Sequence, residues 1–366
     1  MRSAQLTISL DTLLQNARAI RARIPEGVRM LAVVKADAYG HGAVPFALAL
    51  EREGIADWFA VAMAEEGIAL REAGVRGHIL VLGGADEASL REGVSRDLSQ
   101  CVYRREALDV LADEAEKRGK RARAHLKLDT GMTRIGVRSL GELEPLLDRW
   151  KELPQVDMEG CFTHFCVADT DPDFTGEQNR RFSGMLERVR AAGFSPIAHA
   201  AATSAMLRPE YQYDMVRAGI GLYGSCLPEL ADGIAWAQTV SARPVRIERV
   251  PAGETVSYGR TCTLSRDTLV ATVPVGYGDG YPRILGNRAH ALVRGVRVPV
   301  IGRVCMDMLM LDVTDVGDVS CEDEVVLLGP QGAERISPDE LAELSGTIPY
   351  EIMLGFHPRL KRIIAE

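Results

Sequence analysis

Lys35 stands where an apolar run meets a Gly-rich turn, in the stretch MLAVVKADAYGHG that begins at Met30. The run before it is typical of a strand that is buried on both faces. Because side chains alternate along a strand, Lys35 would share a face with Leu31 and Val33, beside the core. Burial disfavours an ammonium and lowers its pKa, which produces a neutral, nucleophilic amine suited to Schiff-base chemistry. A lysine at a strand end that reaches out to water is the plain alternative.

A second set of residues, further along the chain, is suited to binding an anion. Ser204 in AAATSAML is expected at the N-terminus of a short helix, where free backbone N–H groups and the helix dipole favour negative charge. Gly219 and Gly221 in RAGIGLYG allow the backbone to approach a ligand closely. An ordinary N-cap serine and ordinary loop glycines are the alternatives.

The fold that positions these residues is indicated by an alternation of two kinds of segment. A strand at Gln5–Leu10 and a helix from Asp11 to about Ile24 are expected first. Short apolar runs then alternate with stretches of helical periodicity, several of which end in Gly. The runs begin near Met30, Trp58, His78, Leu98, Arg123, Met158, Pro196 and Asp214. Eight such units predict an α/β fold, a (β/α)8 barrel of the TIM type, over residues 1–230. A doubly wound open sheet is the structural alternative.

From about Leu230 onward, the helical periodicity gives way to short runs rich in Val and Thr, bounded by Gly, Pro and Asp. TVSARPVRIERV, TLVATVPVGYG, HALVRGVRVPVIGRV, MLMLDVTDV and DEVVLLG are typical of strands. We therefore expect a mostly antiparallel C-terminal β domain over residues 231–366. One short helix, SPDELAELSG, interrupts it, with Ser337 as N-cap and Glu340 at the capping-box position.

The barrel would bring the amine and the anion site together. Active sites of such barrels lie at the C-terminal ends of the strands, and phosphate sites commonly follow strands seven and eight. Ser204 and Gly219 follow those two strands, and Lys35 ends strand one, which neighbours strand eight in a closed barrel. An amine beside an anion site suits a phosphorylated aldehyde, for which pyridoxal 5′-phosphate (PLP) is the obvious candidate.

The net charge and the N-terminal sequence limit which classes of partner and which cellular location are expected. The 43 basic and 51 acidic residues of the 366 give a net charge of -8, without a basic block, which argues against nucleic acid and anionic membranes. The N-terminal stretch lacks the apolar segment and cleavage site of a signal peptide, and no apolar run approaches the ~18 residues of a membrane span. A cytoplasmic protein is expected.

The cysteines and their neighbours do not indicate a metal site. Seven cysteines, odd in number and without CxxC spacing, are typical of scattered thiols in a reducing compartment. His164 has Cys161, Cys166 and Asp169 close to it in sequence, but their offsets do not place them on one face of a strand. We predict no metal.

Seven blocks that occur in order from residue 30 to about 352 resemble those of the alanine racemases: AVVKADAYGHG, LKLDTGMTRIG, THF, RAGIGLYG, VSYGR, VGYGDGYPR and GRVCMD. The resemblance implies a PLP-binding barrel, a C-terminal β domain and a head-to-tail homodimer whose sites are shared. It implies interconversion of L- and D-alanine, supplying D-alanine for cell-wall peptidoglycan or serving alanine catabolism.

The resemblance assigns roles to the reacting groups. Lys35 corresponds to the lysine that holds PLP and then acts as base on one face of the substrate. Tyr258 in VSYGR corresponds to the second base, on the opposite face and supplied by the other subunit. Two such groups suffice for racemisation, which needs a proton donor on each face. Arg217 resembles the donor to the pyridine nitrogen, and His164 its partner in a relay to Tyr258.

Other residues would hold the cofactor phosphate: by resemblance these are Tyr39, Ser204, the backbone at Gly219 and Ile220, and Tyr350 in IPYE. A planar guanidinium such as that of an arginine suits a carboxylate. Arg134 in the GMTRIG block has such a guanidinium.

Arg134 resembles the arginine that contacts the cofactor and the substrate carboxylate, and Met306 a backbone donor to that carboxylate from the partner. Tyr277 resembles part of the entrance to the site. Lys127 corresponds to a lysine that is carbamylated in many relatives, which would make it an anion able to orient Arg134. The alternative is a Lys127 cation paired with Asp129 or another acid.

Some positions depart from the family pattern. Thr203 stands where an Asn usually precedes the serine, a change expected to matter little for the backbone donors. LGFHPRLKRI replaces the usual RVPR, which leaves the roles of Arg359 and Arg362 open. A racemase for serine or for a broader set of amino acids is the alternative within the family. A PLP-binding protein without turnover is disfavoured by Tyr258, and a decarboxylase by Arg217.

Overall fold

Eight parallel strands form the first part of the chain, as the sequence predicted. The structure, a computed structural model, describes residues 3–224, 232–356 and 358–365. Every residue of the strands Trp58–Val61 and Ser99–Val102 is buried, because each strand lies between the barrel interior and the helical layer. In chain order the strands are Arg29–Val33, Trp58–Val61, His78–Val81, Ser99–Val102, Ala122–Lys127, Val156–Phe162, Ile197–His199 and Met215–Ala218.

Backbone hydrogen bonds close this sheet into a barrel. The first strand pairs in parallel with both the second and the eighth. The seventh and eighth strands meet through Asp214 N, which donates to Ala198 O at 3.0 Å, and Arg217 N, which donates to Ala201 O at 3.0 Å. An open doubly wound sheet would leave these edges unpaired, so the barrel prediction is confirmed.

Helices cover the outside of the barrel. The helix Arg105–Arg118 ends at Gly119, which adopts a left-handed conformation with φ of 62°, as its sequence pattern indicated. The first helix ends at Arg21, three residues before the predicted end. The helices of this part are Leu10–Arg21, Ala43–Arg52, Ala64–Glu72, Glu87–Ser95, Arg105–Arg118, Leu140–Lys151, Pro172–Ala191 and the short Pro209–Gln212, followed by a 3-10 turn at Ile220–Tyr223.

A second sheet, which in the described part of the chain has ten strands, forms the C-terminal part. Its pairings are antiparallel except one, as predicted. Across the sheet the strands run in the order Arg246–Val250, Thr268–Val273, Leu309–Asp312, Val296–Ile301, His290–Val293, Val325–Gln331, Gln238–Ala242, Gln5–Ser9 and Lys361–Ala365, with Glu334–Ile336 paired to Val325–Gln331. A small ribbon pairs Thr255–Val256 with Cys262–Thr263.

The N-terminal strand Gln5–Ser9 belongs to this second sheet and not to the barrel. It pairs antiparallel with Gln238–Ala242 and parallel with Lys361–Ala365, a strand that the sequence patterns did not reveal. The predicted boundary between residues 230 and 231 lies outside the described residues, so the division at that point stays a prediction.

Among the residues that the structure describes, two α-helices accompany the second sheet, of which the sequence predicted one. In Pro338–Ser345, Ser337 Oγ accepts from Glu340 N at 3.1 Å, which confirms the N-cap. The side chain of Glu340 pairs with Arg297. The second helix, Pro349–Gly355, was not predicted, and it carries Tyr350 toward the barrel.

Candidate active site

A cavity of about 310 Å³ opens at the C-terminal ends of the barrel strands. Its volume is near the lower end of the range for small-molecule sites. Most of the residues that the sequence singled out line it. They are Lys35, Tyr39, Lys127, Arg134, His164, Ser204, Arg217, Gly219, Ile220 and Tyr350.

Lys35 begins a left-handed helical turn directly after the first barrel strand. Its four following residues, Ala36 to Tyr39, have φ between 51° and 54°. For residues other than glycine this conformation costs roughly 1–2 kcal/mol each. The turn leaves Lys35 partly buried in the cavity wall and points Tyr39 into the same cavity.

Polar contacts offset the strain of this turn. Glu66 Oε1 accepts from Ala36 N at 2.6 Å, and Asp37 Oδ1 accepts from Ala43 N at 2.8 Å. Arg362, whose role the sequence left open, forms an ion pair with Asp37. The C-terminal segment therefore braces the turn that carries Lys35.

Lys35 has the electrostatic surroundings that the sequence predicted. Burial lowers the pKa of Lys35 below its ordinary value, and the charge of Arg134 lowers it further, while Glu66 opposes the shift. A lowered pKa increases the neutral, nucleophilic fraction of the amine. The partial burial of Lys35 in the cavity wall argues against the alternative of a lysine that reaches out to water.

Hydroxyl and N–H groups without acceptors gather at the other end of the cavity. Within the described residues, no hydrogen bond uses the hydroxyl of Tyr39, Ser204 or Tyr350, or the N–H of Ser204 or Ile220. Burial raises the pKa of Tyr39, with Tyr350 adding to the shift, and burial likewise raises the pKa of Tyr350. Both tyrosines therefore stay protonated, and the group is suited to an anion.

The prediction that Ser204 begins a helix is wrong. Residues 203–207 form successive hydrogen-bonded turns, in which Ala205 N donates to Ala202 O at 2.9 Å, and the next helix starts only at Pro209. Pro209 fixes its own φ and disfavours a helical conformation at Arg208, which delays the helix. The N–H of Ser204 remains free even so, since a turn leaves its first donors unpaired.

Arg217 lies on the eighth strand and is fully surrounded by acceptors. Its Nη1 donates to His199 Nδ1 at 2.9 Å, and its Nη2 donates to His164 Nδ1 at 3.1 Å. Carbonyl oxygens of Thr163, His199 and Ala200 accept further hydrogen bonds. Burial lowers the pKa of Arg217, but a guanidinium remains charged at any physiological pH. The predicted contact between Arg217 and His164 is present.

Because Arg217 can only donate, its two histidine partners accept at Nδ1 and are neutral. Burial lowers the pKa of His164 and of His199, and the charge of Arg217 adds to both shifts. The proton of His199 therefore sits on Nε2, which lies 2.9 Å from Nδ1 of His125. Each ring thus has one defined tautomer.

Glu159 ends this chain of rings inside the barrel. Its carboxylate lies 3.3 Å from His125 Nε2, poorly aligned for a hydrogen bond, and 3.3 Å from His78 Nδ1. Burial opposes ionisation of Glu159, but contacts with His125, His78 and Ser99 outweigh it and lower its pKa. The neutral rings of His199 and His125 thus lie between the Arg217 guanidinium and the Glu159 carboxylate.

Lys127 ends the fifth strand and is buried. Its Nζ donates to Leu128 O at 2.8 Å, and within the described residues no carboxylate lies at ion-pair distance from it. The alternative of an ion pair with Asp129 is therefore wrong. Burial lowers the pKa of Lys127 to about 8. Asp129 instead accepts from Gly131 N and Thr133 N, each at 3.0 Å, and so shapes the loop that carries Arg134.

Tyr258, Tyr277 and Met306 lie away from this cavity in the same chain. None of these three described residues contributes to the cavity wall. They are 69%, 41% and 52% exposed, respectively. The loops that carry Tyr277 and Met306 are joined, since Gly278 N donates to Met306 O at 2.8 Å.

Comparisons with known proteins agree with this geometry. The sequence profile of the N-terminal domain of alanine racemase matches residues 8–226, and that of the C-terminal domain matches residues 237–364. The chain belongs to the alanine racemase family.

Curated relatives and solved structures of alanine racemases match over nearly the whole chain. An alanine racemase of Symbiobacterium thermophilum is 45% identical over 99% of this chain and 97% of its own. Alanine racemase 2 of Caldanaerobacter subterraneus is 38% identical over 99% of this chain and 95% of its own. The structure of the Bacillus anthracis alanine racemase with bound L-Ala-P has a TM-score of 0.92 at 33% identity, covering 100% of this chain and 96% of its own.

Several residues of this alanine racemase site were not found from sequence. His125, His199 and Glu159 are internal strand residues whose isolated positions in apolar runs gave no signal. Thr203 was noted only as a departure from the family pattern. Among the described residues no cluster of His, Cys, Asp and Glu could hold a metal ion, and no helix is long and apolar enough to cross a membrane.

Proposed function

We propose that this alanine racemase holds PLP in the cavity described above and interconverts L- and D-alanine by proton transfer through Lys35 and Tyr258. One observation carries the proposal: an amine with a lowered pKa shares a cavity with a cluster of unpaired hydroxyl and N–H donors. An aldehyde and a phosphate on one small molecule match these two features. PLP, when bound, supplies the electron-withdrawing ring that makes the α-proton of an amino acid removable.

The cavity fits such a group at its anion end. A Cβ added to Gly219 would lie 3.2 Å from the hydroxyl of Tyr39 and 3.7 Å from that of Thr203. The absent side chain thus leaves a cradle between two hydroxyls, bordered by Ser204 and Ile220. We assign the phosphate to this cradle, with Tyr39, Ser204, Ile220 and Tyr350 as donors.

The remaining cavity residues divide into two roles. Lys35 anchors the cofactor and exchanges a proton with the α-carbon on one face of the substrate. Arg217, held by His199 and His164, donates to the ring nitrogen, and its permanent charge keeps that nitrogen unprotonated. Arg134, which also lines the cavity, binds the substrate carboxylate as a planar fork would.

Tyr258 acts on the other face and comes from a second copy of the chain. This part of the proposal is supported by the exposure of Tyr258, Tyr277 and Met306, three large side chains that a partner would cover. A tyrosine away from its own cavity can complete the cavity of a neighbour in a head-to-tail homodimer. Met306 would contribute backbone contacts to the carboxylate, and Tyr277 would border the entrance.

The physiological role and the range of substrates are part of the same proposal. We assign the enzyme to D-alanine supply for peptidoglycan or to alanine catabolism, in the cytoplasm. Six cysteines among the described residues are free, which fits a reducing compartment. A broader amino-acid range is the second candidate, because a histidine racemase from Leuconostoc mesenteroides shares the fold, with a TM-score of 0.87 at 28% identity.

A chiral assay of a panel of L-amino acids with added PLP tests the activity. Conversion of alanine well above serine and histidine is expected, whereas comparable rates would favour the broader range. Borohydride reduction followed by peptide mass spectrometry tests the anchor, and a pyridoxyl group on Lys35 is expected. A pyridoxyl group on another lysine, or its persistence in Lys35→Ala, would contradict the assignment.

A further inference from the structure

The side chain of Thr203 accepts hydrogen bonds from the very loop that was expected to bind phosphate. Its Oγ1 accepts from Gly219 N at 3.0 Å and from Gly221 N at 3.4 Å. Thr203 itself is 4% exposed and borders the cavity. The N–H of Gly219 therefore already has an acceptor and is not a free donor to an anion.

The hydroxyl proton of Thr203 is still available for donation. An alcohol oxygen has two lone pairs and one proton, and both lone pairs are occupied by the two N–H groups. Within the described residues, no acceptor receives the Thr203 proton. A hydroxyl that is buried this deeply is expected to donate to something, and the cavity is the space it borders.

We propose that Thr203 is a phosphate-binding residue of this enzyme, which donates its hydroxyl proton to the anion while accepting from Gly219 and Gly221. The inference rests on the proposed function, because the anion is the phosphate of PLP. Two N–H donors polarise the Thr203 oxygen and make its own proton a better donor, since hydrogen bonds in a chain reinforce one another. The N–H of Gly219 thus affects the phosphate by polarising the Thr203 hydroxyl, whereas the N–H of Ile220 donates to the phosphate directly.

This arrangement revises the expectation that Thr203 matters little. An asparagine, usual at this position in the family, carries its acceptor and its donors on separate atoms, whereas threonine must use one oxygen for both. The anion end then consists of four hydroxyls: those of Tyr39, Thr203, Ser204 and Tyr350. Because burial raises the pKa of Tyr39 and of Tyr350, both of these hydroxyls remain donors at neutral pH.

The test compares two probes, PLP and pyridoxal, which lacks the phosphate. Each is titrated into cofactor-free enzyme. The dissociation constant of pyridoxal divided by that of PLP isolates the phosphate contribution. In Thr203→Val, which keeps the shape but removes the hydroxyl, we expect that ratio to fall by about tenfold to a hundredfold, as for the loss of a hydrogen bond to a charged group. In Thr203→Ser, which keeps the hydroxyl, a change within about threefold is expected.

Other outcomes separate the possible failures. Equal weakening of PLP and pyridoxal in Thr203→Val would show that Thr203 only supports the loop, and unchanged PLP binding would remove any role; either overturns the inference. Failure of the wild-type enzyme to bind PLP would instead overturn the proposed function. Should Thr203→Val fold poorly, Thr203→Asn provides the second comparison, and a ratio near that of wild type is expected because the amide can both accept and donate.

Discussion

Arg217 Nη1 donates to Nδ1 of His199 over 2.9 Å, in the interior of the barrel and beneath the cavity. A guanidinium cannot accept, so this one contact determines where the proton of His199 resides. His199 Nε2 therefore donates to His125 Nδ1 at 2.9 Å, and Nε2 of His125 lies 3.3 Å from the Glu159 carboxylate. The orientation of Arg217 is thus secured in part by His199, His125 and Glu159, which do not line the cavity.

His199→Phe should therefore destabilise the protein. The Phe ring can keep the stacking on Phe162, whose ring centroid lies 4.8 Å from that of His199, but Arg217 Nη1 loses an acceptor. We expect the free energy of unfolding to fall by roughly 2–3 kcal/mol, the cost of an unpaired buried charged donor. Urea denaturation measures the free energy of unfolding. The matched control is His78→Phe, whose partly exposed ring stacks on Trp58 and contacts Glu159 but not Arg217, with an expected loss of about 0.5–1 kcal/mol. Equal losses would argue against a special role for His199.

Tyr258→Phe should affect α-proton exchange from the two enantiomers unequally, whereas racemisation itself must slow alike in both directions because its equilibrium constant is one. If Lys35 and Tyr258 serve opposite faces, removing the phenol blocks proton exchange from one enantiomer by about 10²–10⁴-fold and spares exchange from the other. Exchange of the α-proton for deuterium, followed separately for L- and D-alanine, measures both. Tyr277→Phe, at the proposed entrance, should change the two exchanges alike. An equal loss of both exchanges in Tyr258→Phe would mean that there are not two separate bases.

Mixing two inactive variants tests whether the site is shared. In a head-to-tail dimer of Lys35→Ala with Tyr258→Phe, one of the two sites combines the intact lysine of one chain with the intact tyrosine of the other. Random exchange should therefore restore roughly a quarter of the sites. Mixing Lys35→Ala with the double variant Lys35→Ala/Tyr258→Phe should restore none. Absence of recovery in the first mixture, with subunit exchange demonstrated by mass spectrometry, would place Tyr258 outside the site.

Carbamylation of Lys127 should depend on pH in a defined direction. The reaction joins a neutral amine to CO₂ and releases a proton, so it requires the deprotonated form. Because burial lowers the pKa of Lys127 to about 8, that form becomes dominant as the pH rises through this value. Labelled bicarbonate should therefore give a stronger carbamate signal in ¹³C NMR at pH 8.5 than at pH 6.5.

The signal should be absent in Lys127→Met and present in Lys117→Met, whose lysine is exposed and paired with Asp113. A label that persists in Lys127→Met would assign the carbamate to another amine. The absence of any label in the wild-type enzyme at pH 8.5 would leave Lys127 as a buried amine bonded to Leu128 O.

Local patterns were enough to predict the barrel and a few residues of its cavity. Each barrel strand is a short apolar run, and each crossover has helical periodicity, so the C-terminal ends of the strands, with Lys35, Ser204 and Gly219, could be placed on one face. The resemblance to a family added residues such as Tyr39 and Tyr350, whose spacing alone carried no signal.

Other features depended on contacts between distant parts of the chain. Ala36 and Asp37 adopt a left-handed conformation because Glu66 and Arg362 bind the turn, which no local propensity could indicate. Ser204 fails to begin a helix because Pro209 delays it. The bonding of Thr203 to Gly219 likewise joins two loops that are separate in sequence.

The pairing of Gln5–Ser9 with Gln238–Ala242 and with Lys361–Ala365 has a consequence for synthesis on the ribosome. Gln5–Ser9 leaves the exit tunnel before the barrel strands, has no partner among them and must remain unpaired while the barrel is translated. Its other partner, Lys361–Ala365, emerges long after the barrel, and contacts that join such distant residues form slowly. The second sheet can therefore be completed only after Lys361–Ala365 has emerged, whereas the barrel that carries Lys35 can assemble beforehand.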